Sequence, residues 1–284
     1  MNKDYLDKIL CKHGIFNVLK NDQYICKSLA EYGEWSEHEV DLYKDILKPK
    51  DVIIEVGSHI GTHTLPLAKI TEEGHVYAFE PQFLLFNLLK KNLKENNISC
   101  VTTYFNAVSN QEEKIKLREI DYEDEYNKKI YNNSGGLDYR RLISNDDGYE
   151  INVIKLDNQF KNLNKLDFVK IDAEGNEFDI LKGSQNLLEK FHPIIYCEFD
   201  LQNIEEKLKI LNFLNNFDYV FYDHITPLFN INNFKKNEEN IFGNTISAMF
   251  LSVPRKKINL IFDLKLAKHN CKAIDLKTLN KDYN

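Results

Sequence analysis

Residues 51–61 read Asp-Val-Ile-Ile-Glu-Val-Gly-Ser-His-Ile-Gly, and this stretch decides the fold of the chain. Its apolar first half is typical of a short buried strand, which ends at the acidic Glu55. Gly57 and Gly61 then predict a turn into a helix that begins near residues 62–64. A strand, a glycine turn and a helix N-terminus in this order are typical of a cradle for a nucleoside cofactor, because the backbone can approach a ligand closely at glycine.

The spacing of the glycines narrows the choice of cofactor. In the dinucleotide fingerprint G-x-G-x-x-G the second glycine lies beside the pyrophosphate, and this chain has His59 at that point. A bulky side chain there disfavours a pyrophosphate, and with it an NAD-dependent enzyme. The turn therefore favours a cofactor without phosphates, S-adenosylmethionine (SAM), although taken alone it is equally typical of any strand-to-helix connection.

A second strand that ends in an acid makes this interpretation more specific. Residues 75–81 read His-Val-Tyr-Ala-Phe-Glu-Pro, and in doubly wound folds an acid at this point, here Glu80, pairs with the ribose hydroxyls of the cofactor. A third strand is predicted over residues 101–108. The loop around Asn106 and Ala107 would, by its position, border the adenine ring.

The rest of the chain continues to alternate strands with helices. Further strands are predicted over residues 152–156, 166–172 and 193–200, and two late strands, 219–223 and 246–253, are predicted to be antiparallel partners. Such alternation indicates an α/β fold with a Rossmann-like, doubly wound sheet. The sheet is expected to be mostly parallel with an antiparallel late strand.

The chain divides into three predicted segments. Residues 1–50 are predicted to be an N-terminal helical segment, because apolar residues such as Leu6 and Leu10 recur at helical spacing. Residues 51–254 form the predicted cofactor-binding domain, and residues 255–284 a lysine-rich C-terminal tail.

Composition excludes several classes of protein. The 284 residues carry a formal net charge of -7, so no nucleic-acid partner is expected. No apolar run approaches the length of a membrane span, and the N-terminus has no signal-peptide pattern. The five cysteines are scattered without a C-x-x-C motif, which excludes a cysteine-rich zinc site and indicates a reducing, cytoplasmic location.

Residues 119–150 interrupt the alternation of strands and helices, after an additional edge strand predicted over 115–120. The segment is acidic and rich in tyrosine at its start, and it contains Arg140 and Arg141. An insertion of this kind without periodicity is either a functional lid or a solvated loop. As a lid it would let the two arginines reach a charged part of the substrate. Simple exposure of the two arginines to solvent is the favoured interpretation.

From about residue 32 to residue 254 the chain resembles the FkbM-type SAM-dependent methyltransferases, a class I Rossmann-like family. The matching blocks are Gly33-Glu-Trp35, Glu55-Val-Gly-Ser-His-Ile-Gly61-Thr-His-Thr-Leu-Pro-Leu-Ala68, Phe79-Glu80-Pro81, Asn106-Ala-Val-Ser109 and Val169-Lys-Ile-Asp172-Ala-Glu174-Gly175-Asn-Glu177. One departure is Ser58-His59, where the family usually has Ala-Asn. The last 30 residues or so lie outside the resemblance.

The resemblance implies methyl transfer from SAM to a hydroxyl group of a sugar, a glycan or a related small molecule. A protein or lipid acceptor is the alternative among enzymes. A non-catalytic scaffold subunit with a SAM-binding fold is the alternative outside them, and the intact acids and glycines of the motifs argue against it. The predicted cofactor site comprises Glu55, Gly57, Ser58, His59, Ile60, Gly61, Thr62, Glu80, Pro81, Asn106, Ala107 and Asp172.

A neutral hydroxyl acceptor needs a base or a metal to take its proton, and four acids are expected to converge for this step. Asp172 and Glu174 follow one central strand, and Glu198 and Asp200 end its expected neighbour. A carboxylate with a raised pKa could be the base, or two or three carboxylates could hold Mg²⁺. The metal-free alternative is favoured, because the family pattern has no obligatory metal that maps onto this chain. Asp172 and Glu174 are the predicted catalytic residues.

Four other side chains have two interpretations each. His63 is a second candidate base or a residue of the cofactor surroundings, and His224 faces the substrate or lies on the surface. Glu177 is one more acid of the site or a partner of its helix dipole. Trp35 lies against the cofactor or pins the N-terminal helices to the sheet.

Overall fold

The structure, a computed structural model, describes residues 5–121, 124 and 132–282. In this part of the chain the strands are β1 (Leu6–Cys11), β2 (Gly14–Leu19), β3 (Val52–Val56), β4 (His75–Phe79), β5 (Val101–Tyr104), β6 (Asn106–Val108), β7 (Glu113–Leu117), β8 (Tyr149–Ile154), β9 (Phe168–Ile171), β10 (Ile194–Glu198), β11 (Tyr219–Pro227), β12 (Ile246–Pro254) and β13 (Lys272–Ala273).

The helices connect these strands and cover the central sheet. In the same described residues they are α1 (Ile25–Tyr32), α2 (Glu37–Ile46), α3 (Thr64–Ile70), α4 (Phe83–Glu95), α5 (Leu156–Gln159), α6 (Glu177–Lys182), α7 (Gln185–Phe191), α8 (Ile204–Asn215), α9 (Leu260–Lys268) and α10 (Leu276–Asp282). Short 3₁₀ turns lie at Tyr139–Leu142 and Arg255–Lys257.

The central sheet has the strand order β13-β11-β12-β10-β9-β3-β4-β5. Neighbours from β10 to β5 are parallel, whereas β12 runs antiparallel to both β10 and β11. The predicted doubly wound sheet with an antiparallel late strand is therefore confirmed. The winding reverses between β3 and β9, and ligands in such sheets bind outside the carboxyl ends of the strands at that point.

Strand β3 shows why the central strands are mostly apolar on both faces. Its successive side chains point to opposite faces of the sheet, and both faces are covered by helices. Ile53 packs in the cluster that contains residues of α2 and α3, and Ile54 packs with residues of α6 and α7 on the other face. Both side chains are fully buried, as is typical of parallel strands with helices on both sides.

The predicted N-terminal helical segment is wrong over its first part. Strands β1 and β2 form an antiparallel hairpin, and helices begin only at Ile25. Leu10, which fits a helical pattern, is largely exposed, whereas Phe16 and Val18 of β2 are buried in one cluster with apolar residues of α4. Contacts with a helix distant in sequence thus outweigh the local helical spacing.

The predicted third strand is two strands in two different sheets. Strand β5 ends the central sheet, and β6 pairs with β8 in a separate three-stranded sheet of order β6-β8-β7. The additional edge strand predicted at residues 115–120 is β7, displaced towards the N-terminus and paired with β8. The core of this three-stranded sheet is a small apolar cluster that includes Leu117 and Ile151. Asn106 and Ala107, which were predicted to lie in a loop, are the first two residues of β6 in this sheet.

The predicted C-terminal tail folds against the domain. Helix α9 contacts α2, with Lys268 Nζ and His269 Nε2 at 2.6 and 2.7 Å from the carboxylate of Asp45. Strand β13 then pairs with β11 at the sheet edge. The division of the chain at residue 254 stays a prediction.

Two expectations from composition can be compared with the structure directly. All five cysteines are unpaired. Within the described ranges, the helices are too short or too polar to cross a bilayer. Of the predicted insertion at 119–150, residues 122, 123 and 125–131 lie outside the described part, and residues 132–150 lead through a 3₁₀ turn into β8.

Candidate functional site

A cavity of about 270 Å³ opens at the carboxyl ends of β3, β4 and β9. The turn after each of these strands forms one wall, the N-terminal helices form another, and residues 133–137 of the insertion close a third. The predicted site residues that line it are Glu55, Gly57, Ser58, His59, Thr62, Glu80, Pro81, Asn106, Ala107, Asp172 and Glu174.

Two predicted cofactor residues do not line this cavity. Ile60 is fully buried in the apolar cluster between β2 and α4. Gly61 has φ +93°, and a Cβ atom there would lie 2.9 Å from Leu89 Cδ1. The second glycine of the motif therefore allows close packing of the turn against α4.

The first glycine is also required by a protein contact. Gly57 has φ +84°, and a Cβ atom at this position would lie 1.7 Å from the backbone oxygen of Asp172. Such a contact is impossible without moving β9 away from β3. Gly57 thus allows the strand ends to approach each other, which brings the Asp172 loop to the cavity.

Glu80 fixes the glycine turn to the end of β4. Its carboxylate accepts the backbone N–H groups of His59 and Gln82, each at 2.9 Å. Burial raises the pKa of Glu80 to about 7 against the effect of these hydrogen bonds. Each carboxylate oxygen keeps a second lone pair, which is available to a hydroxyl group of a ligand.

Glu55 presents an unsatisfied acceptor to the cavity. Its Oε2 accepts the hydroxyl of Thr64 at 2.6 Å, while Oε1 is buried and has no hydrogen-bond partner among the residues that the structure describes. Burial also raises the pKa of Glu55. An unpaired buried acceptor costs about 1–3 kcal/mol, so a ligand that brings a donor, such as an ammonium group, fits here.

Three of the four predicted acids converge beyond β9 and β10. Ligand atoms of Asp172, Glu174 and Glu198 all lie within 4.8 Å of one another. Asp200 is exposed and its Oδ1 accepts the N–H of Gln202 at 2.8 Å, so it is not part of this group. We call Asp172, Glu174 and Glu198 the carboxylate cluster.

The members of the carboxylate cluster differ in their affinity for protons. Burial alone would raise the pKa of Asp172, but the Lys170 ammonium, 2.9 Å away, outweighs it and the pKa is lowered. Burial and the charge of Asp172 raise the pKa of Glu174 to about 8. The same two causes raise the pKa of Glu198 well above its usual value. At neutral pH the cluster therefore holds both charged and protonated carboxyl groups.

Lys170 is a buried charged residue of the cavity wall that the sequence interpretation missed. It lies inside β9, its side chain is 1% exposed, and its Nζ contacts Asp172. Burial lowers its pKa, but the carboxylates of Asp172 and Glu55 outweigh burial and raise it. A lysine between apolar strand residues was the available signal, because a buried ammonium requires buried partners.

Glu39 of α2 was also missed and forms part of the cavity wall. Its Oε1 accepts the hydroxyls of Ser36 and Ser247 at 2.6 and 2.7 Å, and its Oε2 accepts that of Tyr43 at 3.1 Å. Glu39 Oε2 lies 4.0 Å from His63 Nδ1. Helix α2 is thereby joined to the start of β12 across the cavity.

His63 lines the cavity, but its ring is a weak base. Burial and the Lys170 charge lower the pKa of His63 to about 4. Its Nε2 is buried and has no hydrogen-bond partner within the described ranges. The neutral ring suits hydrogen bonding to a ligand better than proton removal at neutral pH.

The interpretation of His224 as a surface residue is wrong, and contact with substrate stays a prediction. The residue is 1% exposed, so it is not on the surface, and it does not belong to the cavity wall. Its Nδ1 lies 2.7 Å from the hydroxyl of Tyr196, and burial lowers its pKa to about 4. His224 is a core residue on the neighbouring strand β11.

The remaining candidates divide between structure and cavity. Trp35 lines the cavity and also packs with two apolar clusters, so both of its expected roles are compatible with its position. Glu177 Oε1 accepts the N–H of Ala173 at 2.9 Å and holds the turn after β9. Arg140 pairs with Asp138 and donates to the Gly175 carbonyl at 2.9 Å, which ties the insertion to the same turn.

Comparison with known families identifies this arrangement. The family model of the methyltransferase FkbM domain matches residues 55–221, more than half of the chain. The chain belongs to the FkbM methyltransferase family. The match starts at Glu55 in β3 and extends past the carboxylate cluster, so it includes the carboxyl ends of β3, β4, β9 and β10. The start of β12, which also lines the cavity, lies outside the match.

Individual FkbM-like relatives are distant. Methyltransferase 1 of Beauveria bassiana (strain ARSEF 2860) is 21% identical over 142 residues, which is 46% of this chain and 57% of that protein. The FkbM methyltransferase of Methylobacillus flagellatus KT superposes with a TM-score of 0.48 at 14% identity, over 72% of this chain and 44% of the other. The precorrin-6y C5,15-methyltransferase of Geobacter metallireducens GS-15 gives a TM-score of 0.45 at 13% identity, over 76% and 86%.

A second cavity of about 520 Å³ adjoins the first in this FkbM domain. Glu174, Glu198 and Ser247 line both cavities. Arg141 of the insertion and residues from the end of β10 to the start of α8 complete its wall. The carboxylate cluster therefore lies on the boundary between two spaces.

Proposed function

We propose that this FkbM-family protein is a SAM-dependent O-methyltransferase that acts on a hydroxyl group of a sugar, a glycan or a related small molecule. The observation that carries the proposal is the position of the carboxylate cluster. It separates a cavity with the features of a nucleoside site from a second cavity with room for an acceptor. Methyl transfer needs the two substrates to meet at such a boundary in line.

Residues of the first cavity are proposed partners for three parts of SAM, namely the ribose, the α-ammonium group and the adenine. Glu80 is proposed to bind the ribose hydroxyls, because it ends β4 and its carboxylate keeps free lone pairs. Glu55 Oε1, which has no partner among the described residues, is proposed to accept from the α-ammonium. Asn106 and Ala107 follow β5 and are proposed to border the adenine.

The carboxylate cluster is proposed to manage the proton of the acceptor. When bound, SAM supplies a methyl group that is already strongly electrophilic, so the protein has only to orient the acceptor and take its proton. Glu174 is the proposed base, since its pKa is raised to about 8 and it reaches both cavities. Asp172, kept ionised by Lys170, strengthens this base through its own negative charge.

A divalent cation is the alternative within the same site. The three cluster residues offer oxygen atoms close enough together to share one ion, and Mg²⁺ prefers such ligands. A bound Mg²⁺ would then acidify the acceptor hydroxyl in place of a base. The metal-free mechanism is favoured because Lys170 already neutralises one of the three carboxylates.

The first test is calorimetric titration of the purified protein with SAM, S-adenosylhomocysteine (SAH) and NAD⁺. Binding of the first two and no binding of NAD⁺ is expected. A screen of sugars, glycans, proteins and lipids with radiolabelled SAM would then identify the acceptor class. No binding of either sulfur nucleoside would contradict the proposal and favour a non-catalytic scaffold.

A further inference from the structure

Three buried side chains form a hydrogen-bonded chain that ends at the cofactor cavity. Ser134 Oγ lies 2.6 Å from Asp22 Oδ2 and 2.8 Å from His59 Nε2. Asp22, Ser134 and His59 are 2%, 1% and 6% exposed, so water does not compete for these contacts. These three hydrogen-bonded side chains connect the segment after β2, the insertion and the glycine turn. We call Asp22, Ser134 and His59 the relay.

The partners of Asp22 set the direction of the relay. Its Oδ1 accepts the backbone N–H groups of Tyr24 and Cys26 at 3.2 and 2.8 Å, and its Oδ2 accepts the N–H of Ser134 at 3.0 Å. A carboxylate with three N–H donors acts as an acceptor, so the single hydroxyl proton of Ser134 points to Asp22. Ser134 Oγ then accepts from His59, which requires the proton of the His59 ring on Nε2.

The other ring nitrogen of His59 is therefore a bare acceptor. Burial lowers the pKa of His59, so the ring is neutral and carries one proton. Nδ1 is buried, and no group of residues 5–121, 124 or 132–282 lies within hydrogen-bond distance of it. Because His59 belongs to the cavity wall, a ligand in the cavity can supply the missing donor.

We propose that Asp22 and Ser134 are positioning residues that lock His59 as its Nε2–H tautomer, so that Nδ1 accepts a hydrogen bond from a ribose hydroxyl of bound SAM. This inference rests on the proposed function. The ribose is the expected source of the donor because Glu80 Oε2 accepts the backbone N–H of His59, which puts this residue beside the proposed ribose site. The α-ammonium is the other donor that SAM offers in this part of the cavity.

The relay gives a reason for the histidine in the glycine turn. His59 has φ +50°, a left-handed conformation in which histidine and asparagine are enriched among residues other than glycine. The ring of His59 donates from Nε2 to Ser134, and Nδ1 on its other side is left to accept from a ligand. The departure from the usual Ala-Asn of the family thus acquires a role in this chain.

The test compares three variants by SAH binding and by ¹⁵N NMR of the histidine rings. Ser134→Ala removes the hydroxyl that selects the tautomer, and we expect His59 to show a mixture of tautomers and the Kd for SAH to rise about three- to tenfold. Ser134→Thr keeps the hydroxyl and should restore both. Ser184→Ala is the matched control, because Ser184 is a buried serine that does not itself line the cavity, and its hydroxyl donates to the Ile180 carbonyl.

Analogues of SAH identify the donor. A 2′,3′-dideoxyribose analogue should bind wild type and Ser134→Ala equally, whereas 5′-methylthioadenosine, which keeps the ribose and lacks the ammonium, should still distinguish them. The reverse pattern would overturn the ribose assignment in favour of the ammonium.

Two outcomes separate failure of this inference from failure of the proposed function. A folded Ser134→Ala protein with the wild-type affinity for SAH and an unchanged His59 spectrum would overturn the relay. Wild-type protein that binds no SAH would overturn the proposed function and the ligand contact with it. The spectrum of the free protein would even then decide whether His59 carries its proton on Nε2.

Discussion

At the ends of β3 and β4 the carboxylates of Glu55 and Glu80 have neutral hydrogen-bond partners. At the ends of β9 and β10 three carboxylates lie close together, and one of them, Asp172, pairs with the ammonium group of Lys170. Glu80 is held by two backbone N–H groups and Glu55 by a hydroxyl. Glu174 and Glu198 instead lie beside the charged pair of Asp172 and Lys170.

This difference in carboxylate surroundings suits the two ends of the cavity to different tasks, ligand binding and proton transfer. Fixed backbone donors orient the carboxylate at the first end, which suits the binding of a ligand without reorganisation. Repulsion between carboxylates at the second end raises proton affinities, which suits a proton transfer. The predictions below test whether binding and turnover separate along this line.

The largest effect is expected at the second end. Asp172→Asn removes the charge that strengthens Glu174 as a base, so turnover should fall by about 100-fold or more, while the Kd for SAM changes little. Steady-state kinetics with calorimetric titration measures both. Asp7→Asn is the matched control, because Asp7 is an exposed acid that lines neither cavity, and it should retain wild-type turnover. Wild-type turnover in Asp172→Asn would contradict the proposal that the charge of Asp172 strengthens Glu174 as a base.

At the ends of β3 and β4 a substitution is expected to weaken SAM binding and to leave turnover at saturating SAM unchanged. Glu80→Ala removes the acceptor of two backbone N–H groups and the proposed ribose partner, and the Kd for SAM should rise about 10- to 100-fold. At saturating SAM the turnover number should stay near that of the wild type. A variant that keeps its affinity for SAM, or that loses turnover even at saturation, would remove the distinction between the two ends.

Acid–base chemistry at the second end should appear in the pH profile. Glu174 must be deprotonated to act as a base, and its pKa is raised to about 8, so turnover should rise with pH up to about 8 and level off above it. Glu174→Gln should give a low rate without this rise. A rise of the same size and midpoint in the variant would assign the proton transfer to another group.

Whereas turnover should rise with pH, the stability of the free protein should fall as pH rises. Burial raises the folded pKa of Glu80 to about 7, above the usual 4.5 of an unfolded chain. Between these two pH values the folded state therefore binds more protons than the unfolded state. The contribution of protonated Glu80 to the free energy of unfolding is lost as pH rises from about 5 to about 7. Urea denaturation at several pH values should show a flatter dependence for Glu80→Gln than for wild type. Equal slopes would indicate that Glu80 is ionised in the folded protein.

The smallest effect is expected on removal of metal ions. If Lys170 keeps the carboxylate cluster metal-free, turnover after treatment with EDTA should stay within about twofold of the untreated enzyme. If EDTA abolishes activity and Mg²⁺ restores it, the carboxylate cluster holds a cation. The mechanism with Mg²⁺ would then replace the mechanism with Glu174 as the base.

The motif residues near the strand ends were largely predictable from the sequence. Glu80 and Asp172 each follow a short apolar strand, and Glu55 is the penultimate residue of another. Parallel strands bring their carboxyl ends to one edge. Their assignment to a common cavity needed only this rule. The same rule failed for Asp200, because the chain turns away after Glu198 and leaves Asp200 in solvent.

Residues that act through distant partners were not predictable. Lys170 is interpretable only when Asp172, Glu55 and Glu39 are seen around it. Asp22 and Ser134 lie 112 residues apart in the chain, and no local pattern connects them. His224 was misjudged for a related reason, since its position in the core depends on the pairing of β11 with β12.

By itself the sequence determined the doubly wound sheet and the acids at its strand ends, because apolar periodicity and turn chemistry are local properties. Only the tertiary structure decided that the first residues form a hairpin and that the third predicted strand divides between two sheets. It also decided where the sheet reverses its winding, which acids have a raised pKa, and that His59 and His63 line the cavity with a ring nitrogen that is unpaired in the described part of the chain. These features depend on burial and on contacts between segments far apart in the chain, which set both the conformation of marginal elements and the charge of buried groups.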